Sequence, residues 1–124
     1  MKFFRCELCG NLITMVEESG VLIECCGQDM TELVANTSDG AGEKHVPVVQ
    51  FEGNSVCVKV GEAEHPMMEK HFIQWVALET EGGIQIKYLK PGVKPEACFA
   101  ICEGETVLAV YEYCNIHGLW KTEL

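Results

Sequence analysis

Four histidines and five of the eight cysteines stand in ligand-like contexts, and their spacing sorts them into two sets. Near the C-terminus, Cys114-x-x-His117 puts a thiolate donor beside an imidazole. The other histidines are His45 in Glu-Lys-His-Val-Pro, His65 in Glu-His-Pro-Met, and His71 six residues later. Four imidazoles and one thiolate are a poor match for structural zinc, which closes at four ligands. They match a mononuclear redox metal that keeps one position open for a substrate. A thiolate opposite that position pushes electron density through the metal, as cysteine-ligated haem illustrates. Neutral imidazoles leave a ferrous centre of modest charge with one free face, suited to inner-sphere electron donation to a small oxygen species. Blue copper is a weaker match, because it uses two histidines, a cysteine and a weak axial ligand. The expectation is a metalloenzyme.

The second set is N-terminal. Cys6-x-x-Cys9 is a knuckle whose two-residue gap lets both sulfurs face one ion, and Cys25-Cys26 supplies the second pair. Four thiolates make a tetrahedral sulfur site suited to zinc or a single iron, and spacing alone does not choose between them. The adjacent pair has no spacer, so a distorted tetrahedron is expected. A module of ~35 residues has too little core to fold unaided, so a metal is expected under either reading. Cys57, Cys98 and Cys102 lie in strand-like runs and are expected to be buried fillers. Trp75 and Trp120 are expected in the core or the site wall, with no catalytic role.

These side chains need elements to hold them. Residues 1–35 form a cysteine-defined module, and Asn36-Thr-Ser-Asp-Gly-Ala-Gly42 is a small, polar, glycine-containing linker. Val56, Val58 and Val60 alternate with Ser55, Cys57 and Lys59, the period of two that marks a half-buried strand. Further strands are expected over Val46–Phe51, Phe72–Thr80, Ile84–Leu89, Ala97–Ile101 and Thr106–Tyr113. Turn signals separate them at Glu52-Gly53-Asn54, Glu81-Gly82-Gly83, Pro91-Gly92 and Glu103-Gly104-Glu105. With no convincing helical stretch, the fold class is all-β: an antiparallel sandwich or barrel. Pro66 keeps a helix from running through His65–His71. All five residues of the histidine set therefore fall at strand ends or loops, where distant side chains can be gathered. Any one histidine alone is better read as a satisfied or solvent-facing residue, and Cys114 alone as a small buried hydrophobe. Their joint placement carries the metal reading.

At 124 residues and 48% hydrophobic content, the chain can bury a core. A net charge of −10 argues against nucleic acid, which needs clustered Lys and Arg to replace phosphate counterions. It also argues against an anionic membrane surface. No apolar run approaches the ~20 residues of a membrane span, and Met-Lys-Phe-Phe-Arg-Cys-Glu does not read as a signal peptide. A cytoplasmic location is the expectation, in which closely paired cysteines are more often metal ligands than disulfides.

Across nearly its whole length the sequence resembles the desulfoferrodoxin family, the two-iron superoxide reductases. The motifs are Cys6-x-x-Cys9, Cys25-Cys26, Gly42-Glu-Lys-His-Val-Pro47, Glu64-His-Pro-Met67, His71-Phe-Ile-Gln-Trp75 and Cys114-Asn-Ile-His-Gly-Leu-Trp120. The resemblance implies a small desulforedoxin- or rubredoxin-like β domain over 1–35 and an immunoglobulin-like β-sandwich over 36–124. It implies two iron ions per chain: an FeS4 centre on Cys6, Cys9, Cys25 and Cys26, and a second iron with His45, His65, His71 and His117 equatorial and Cys114 axial. Glu43 matches the glutamate that takes the sixth position in the oxidised resting state, and Lys44 matches the active-site lysine. Taken alone, Glu43 and Lys44 would be an ordinary solvated pair. The implied activity is reduction of superoxide to hydrogen peroxide, with a rubredoxin-like donor and a homodimeric assembly. Two other functions compete: an electron carrier that uses only the FeS4 centre, and a zinc-stabilised binding module without redox chemistry.

Overall fold

A computed structural model describes all of residues 1–124, in two compact units, Met1–Val34 and Ala35–Leu124.

The first unit is built from very short strands: β1 (Phe3–Arg5), β2 (Leu12–Thr14), β3 (Glu24–Cys25), β4 (Gln28–Asp29) and β5 (Thr31–Glu32). They form a three-stranded sheet in the order β2-β1-β5 and a separate β3–β4 hairpin, all antiparallel. Phe3, Cys6 and Met30 are the buried anchors. The hairpin turn is Cys26-Gly27, with φ of 54° and 78°. Two successive positive φ values give a turn of the primed kind, whose twist matches the flanking strands. This explains how neighbouring cysteines serve one site: Cys25 ends a strand, and Cys26 turns the chain through left-handed backbone.

The second unit holds a single helical turn, α1 (Gly42–His45), and seven strands. These are β6 (Pro47–Glu52), β7 (Ser55–Val60), β8 (Ile73–Thr80), β9 (Gly83–Tyr88), β10 (Glu96–Ala100), β11 (Val107–Cys114) and β12 (Gly118–Glu123). They make two antiparallel sheets, β10-β7-β6 and β12-β11-β8-β9, in an immunoglobulin-like sandwich. The alternation read from the sequence sets which side faces in. Val56, Val58 and Val60 of β7 and Ala97 and Phe99 of β10 meet Ile73, Val76, Leu78 and Val110 of the other sheet. Side chains close the seams between sheets. Gln85 Nε2 donates to Ala100 O (2.8 Å), Lys87 Nζ donates to Cys98 O, and Thr122 Oγ1 donates to Pro47 O (2.6 Å).

Four expectations need correction. A helical turn precedes β6, so His45 ends a helix rather than entering a strand. β12 was not anticipated: Leu119 and Trp120 follow the ligand motif too closely to show an alternation of their own. Residues 36–38 are no loose linker. Asn36, in left-handed backbone at φ 62°, accepts from Lys121 N (2.9 Å), donates through Nδ2 to Lys121 O (3.1 Å), and sends its N–H to Leu119 O (3.1 Å). Finally, Cys57, Cys98 and Cys102 are not buried fillers. They take the outward positions of their strands and connecting turn; Cys57 and Cys98 are disulfide-bonded, and Cys102 is exposed.

Candidate metal centres

In the N-terminal unit the four sulfurs of Cys6, Cys9, Cys25 and Cys26 all lie within 4.8 Å of one another. Cys9 Sγ is 3.6 Å from Cys25 Sγ, which is 4.0 Å from Cys26 Sγ. Tetrahedral metal–sulfur bonds of about 2.3 Å place sulfurs roughly 3.8 Å apart, so the spacing suits one ion. The knuckle is set locally: Gly10, at φ 80°, sends its N–H to Cys6 O (2.9 Å), and Cys9 N approaches Cys6 Sγ at 3.5 Å. That N–H draws the Cys6 thiol down to about 6, whereas the neighbouring thiols, Cys9 first, push Cys26 up to about 12. Four sulfurs in this space can all shed their protons only if a cation takes up the charge.

The second cluster gathers donor atoms of His45, His65, His71 and Cys114 within 4.8 Å of one another. His117 joins through Nδ1, 3.1 Å from His45 Nε2 and 3.8 Å from Cys114 Sγ. Each ligand position has a local cause. His45 closes α1, and its Nδ1–H donates to Ala41 O (2.8 Å). His65 Nδ1–H donates to Pro66 O (2.6 Å). Both bonds fix the tautomer and leave Nε2 bare, the second-sphere arrangement of metal-ligating imidazoles. His45 Nε2 then stands 3.2 Å from His65 Nε2, so two lone pairs face each other. His71 Nε2 is buried with no hydrogen-bond partner. An orphan nitrogen and opposed lone pairs are what a shared cation would resolve, so the residues fit a metal. Burial lowers the basicity of His45 and His71 and takes His65 to about 4, which keeps the imidazoles neutral and available. Burial raises the Cys114 thiol, against the pull of the His117 and Ile116 N–H groups.

Cys114 and Gly118 pair across a three-residue loop, and Gly118 takes the left-handed φ of 75° that such a loop requires. Trp120 lies against His45, ring centroids 4.8 Å apart, and its Nε1–H donates to His117 O (3.2 Å). It is part of the site wall. Trp75 instead stacks on Tyr113 at 5.6 Å. Glu43 and Lys44 are both exposed on α1. Lys44 lines an open cavity of about 420 Å³ with Glu64, His65, Met67 and Lys94. Its charge reaches His71, and that of Glu43 reaches His45.

Three supporting residues escaped the sequence reading. Asn115 accepts from Phe72 N (2.9 Å) and donates to Lys70 O (3.0 Å), so it ties the peptides on both sides of His71 to the Cys114–His117 loop. Gly40 packs where a Cβ would sit 3.0 Å from His45 Cε1 and Trp120 Cζ2. Glu112 is fully buried, its two carboxylate oxygens unpartnered, on the face of β11 that carries Val110 and Cys114. Only Glu112 left a trace in the sequence, as an acid in an apolar alternation.

The desulfoferrodoxin family model matches residues 37–123, and the model of the desulfoferrodoxin N-terminal domain matches residues 1–33. The chain is 47% identical to a desulfoferrodoxin of Syntrophotalea carbinolica over 99% of its own length and 96% of that protein. It is 32% identical to a superoxide reductase of Thermococcus kodakarensis, covering 77% of this chain and 97% of that one. The crystal structure of the superoxide reductase from Treponema pallidum superposes with a TM-score of 0.82 at 40% identity, over 98% of both chains. With both sites able to bind iron, and with relatives matched from end to end, the chain belongs to the desulfoferrodoxin family.

Proposed function

We propose that this protein is a superoxide reductase, converting superoxide, one electron and two protons to hydrogen peroxide. The observation that carries this reading is the buried convergence of His45, His65, His71 and Cys114, with His117 at its edge, beside a cavity lined by Lys44. In this reading those five residues are the ligands of one iron, Cys6, Cys9, Cys25 and Cys26 hold a second, and the domains divide at residues 35 and 36. Iron in the histidine site supplies the electron.

The chain's own groups do the rest. Superoxide is an anion approaching a chain of net charge −10, so attraction must be local. Lys44 provides it at the cavity wall, where a fixed positive charge raises the rate of encounter. The same ammonium, through water, supplies a proton to the departing product. Glu43, on the same helical turn, matches the family's glutamate and would close the site between turnovers. The Ile116 and His117 N–H groups point at the Cys114 sulfur, oppose the rise that burial imposes on it, and would temper its donation to a bound cation. The family resemblance adds a rubredoxin-like donor and a homodimer to the proposal. An electron carrier would need only the four-cysteine site, and would have no use for a second cluster of bare, buried nitrogens.

The test is stoichiometry. Iron-loaded protein kept reduced and fed superoxide should yield one peroxide per superoxide consumed. Half that yield means disproportionation, and no peroxide leaves the electron carrier.

A further inference from the structure

The two outward cysteines of the smaller sheet face each other. In β7, Val56, Val58 and Val60 point inward, which puts Cys57 outside; in β10, Ala97 and Phe99 point inward, which puts Cys98 outside. The register pairs Cys98 directly with Cys57. A slip of one residue would turn the valines to solvent, so the core enforces this pairing. The Cα atoms are 4.0 Å apart, the short spacing of a non-hydrogen-bonded cross-strand pair, and the sulfurs are joined. Cys98 is exposed and Cys57 partly so. Lys87 Nζ donates to the Cys98 carbonyl from the facing sheet, which pins the strand at this residue. The bond spans a sequence separation of 41, and the segment it closes contains His65, His71 and the cavity residues Glu64, Met67 and Lys94.

We propose that Cys57 and Cys98 form a reversible dithiol–disulfide couple oxidised by hydrogen peroxide, and that its bond fastens the segment carrying two of the histidine ligands. The identity of the oxidant rests on the activity proposed above, of which peroxide is the product. The Cys98 thiolate attacks one peroxide oxygen; the O–O bond breaks, and the released hydroxide takes up a proton and leaves as water. The Cys57 sulfur then attacks the sulfenic sulfur, making the S–S bond and expelling hydroxide, which takes up the Cys57 proton and leaves as a second water. Two thiols lose two electrons and two protons, and one peroxide becomes two waters. A small-molecule dithiol reverses the step by exchange.

The experiment uses the full-length, iron-loaded protein, reduced with a dithiol, freed of reductant and treated with one equivalent of hydrogen peroxide. Remaining thiols are alkylated and the peptides weighed. The expected product is a linked Cys57–Cys98 peptide pair, lighter by two hydrogens, with Cys102 still alkylated. In Cys57→Ser the link is absent and Cys98 is trapped as the sulfenic acid by a dimedone reagent. Full alkylation of Cys57 and Cys98 after peroxide, or linkage to Cys102 instead, overturns the couple. Iron release to a chelator should be several-fold slower from oxidised than from reduced protein, and alike in both for Cys57→Ser. Equal rates in the native chain overturn the fastening role. A parallel sample receives superoxide and an electron donor in place of peroxide. Linkage with peroxide but not with superoxide supports the couple and overturns the superoxide reductase reading alone.

Discussion

Lys44 and Glu112 show how differently single charges act around one centre. Lys44 is exposed at the cavity wall, so its contribution is a field. Lys44→Ala should slow the reaction with superoxide about tenfold at low salt and leave iron content unchanged. The gap should narrow as ionic strength rises, because the lost term is screened; pulse radiolysis across a salt series checks this. Glu112 is the reverse case. Its carboxyl is sealed beside Cys114 and Val110, and burial raises it to about 9. In the unfolded chain the group ionises near 4.3. Between those values the native state holds a proton that the unfolded state has lost. The contribution is therefore fully present below pH 4.3 and lost as pH rises towards 9, at no more than about 1.4 kcal/mol per pH unit. Glu112→Gln should flatten the stability profile between about pH 4.3 and pH 9 in denaturant titrations, and a parallel decline in both proteins would refute the assignment. The two clusters of donor-type side chains were legible in the sequence because cysteine and histidine are scarce and their spacing informative. Glu112 left only the trace of an acid in an apolar alternation, and one acid among nineteen acidic residues looks like surface until a fold buries it.

At the scale of elements, the site depends on contacts that side-chain chemistry does not advertise. α1 is a single turn with no side-chain N-cap, so something else must hold it. The Ala63 N–H does, donating to Glu43 O at 2.9 Å, and Gly61 allows that approach: its φ is 79°, and an added Cβ would lie 2.5 Å from Ala63 O and 2.6 Å from both Glu43 O and Lys44 C. Gly61→Ala should cost about 1–3 kcal/mol from the dihedral alone. It should also shift Lys44 and His45, giving weaker iron binding in a competition assay. Asn115 works on the opposite side of the cluster. Asn115→Ala removes both its bonds to the chain around His71, and iron affinity should fall about 10–100-fold, while the midpoint of global unfolding moves far less. Six of the seven sandwich strands were readable from alternation and turn residues. The seventh, β12, begins one residue after His117, where functional residues displace the pattern. The helical turn was hidden for a related reason: four residues carry too little periodicity to register.

For the whole molecule, the two units draw stability from different sources. Ala35–Leu124 buries a continuous apolar core, whereas Met1–Val34 has little beyond Phe3, Cys6 and Met30. Stripping the metal from the four-cysteine site should unfold residues 1–34 and leave the sandwich intact. Hydrogen exchange before and after chelation reads this directly, with lost protection confined to the N-terminal unit. A further consequence follows from the closed seams of the sandwich. The open border of a β-sheet is a template on which another molecule can lay a strand, and repetition of that step builds fibrils. Here Gln85 and Lys87 occupy carbonyls along β10, and Thr122 occupies one on β6. A newcomer finds those acceptors engaged and a lysine in its path, so these borders resist edge-to-edge growth even in a concentrated solution of the protein.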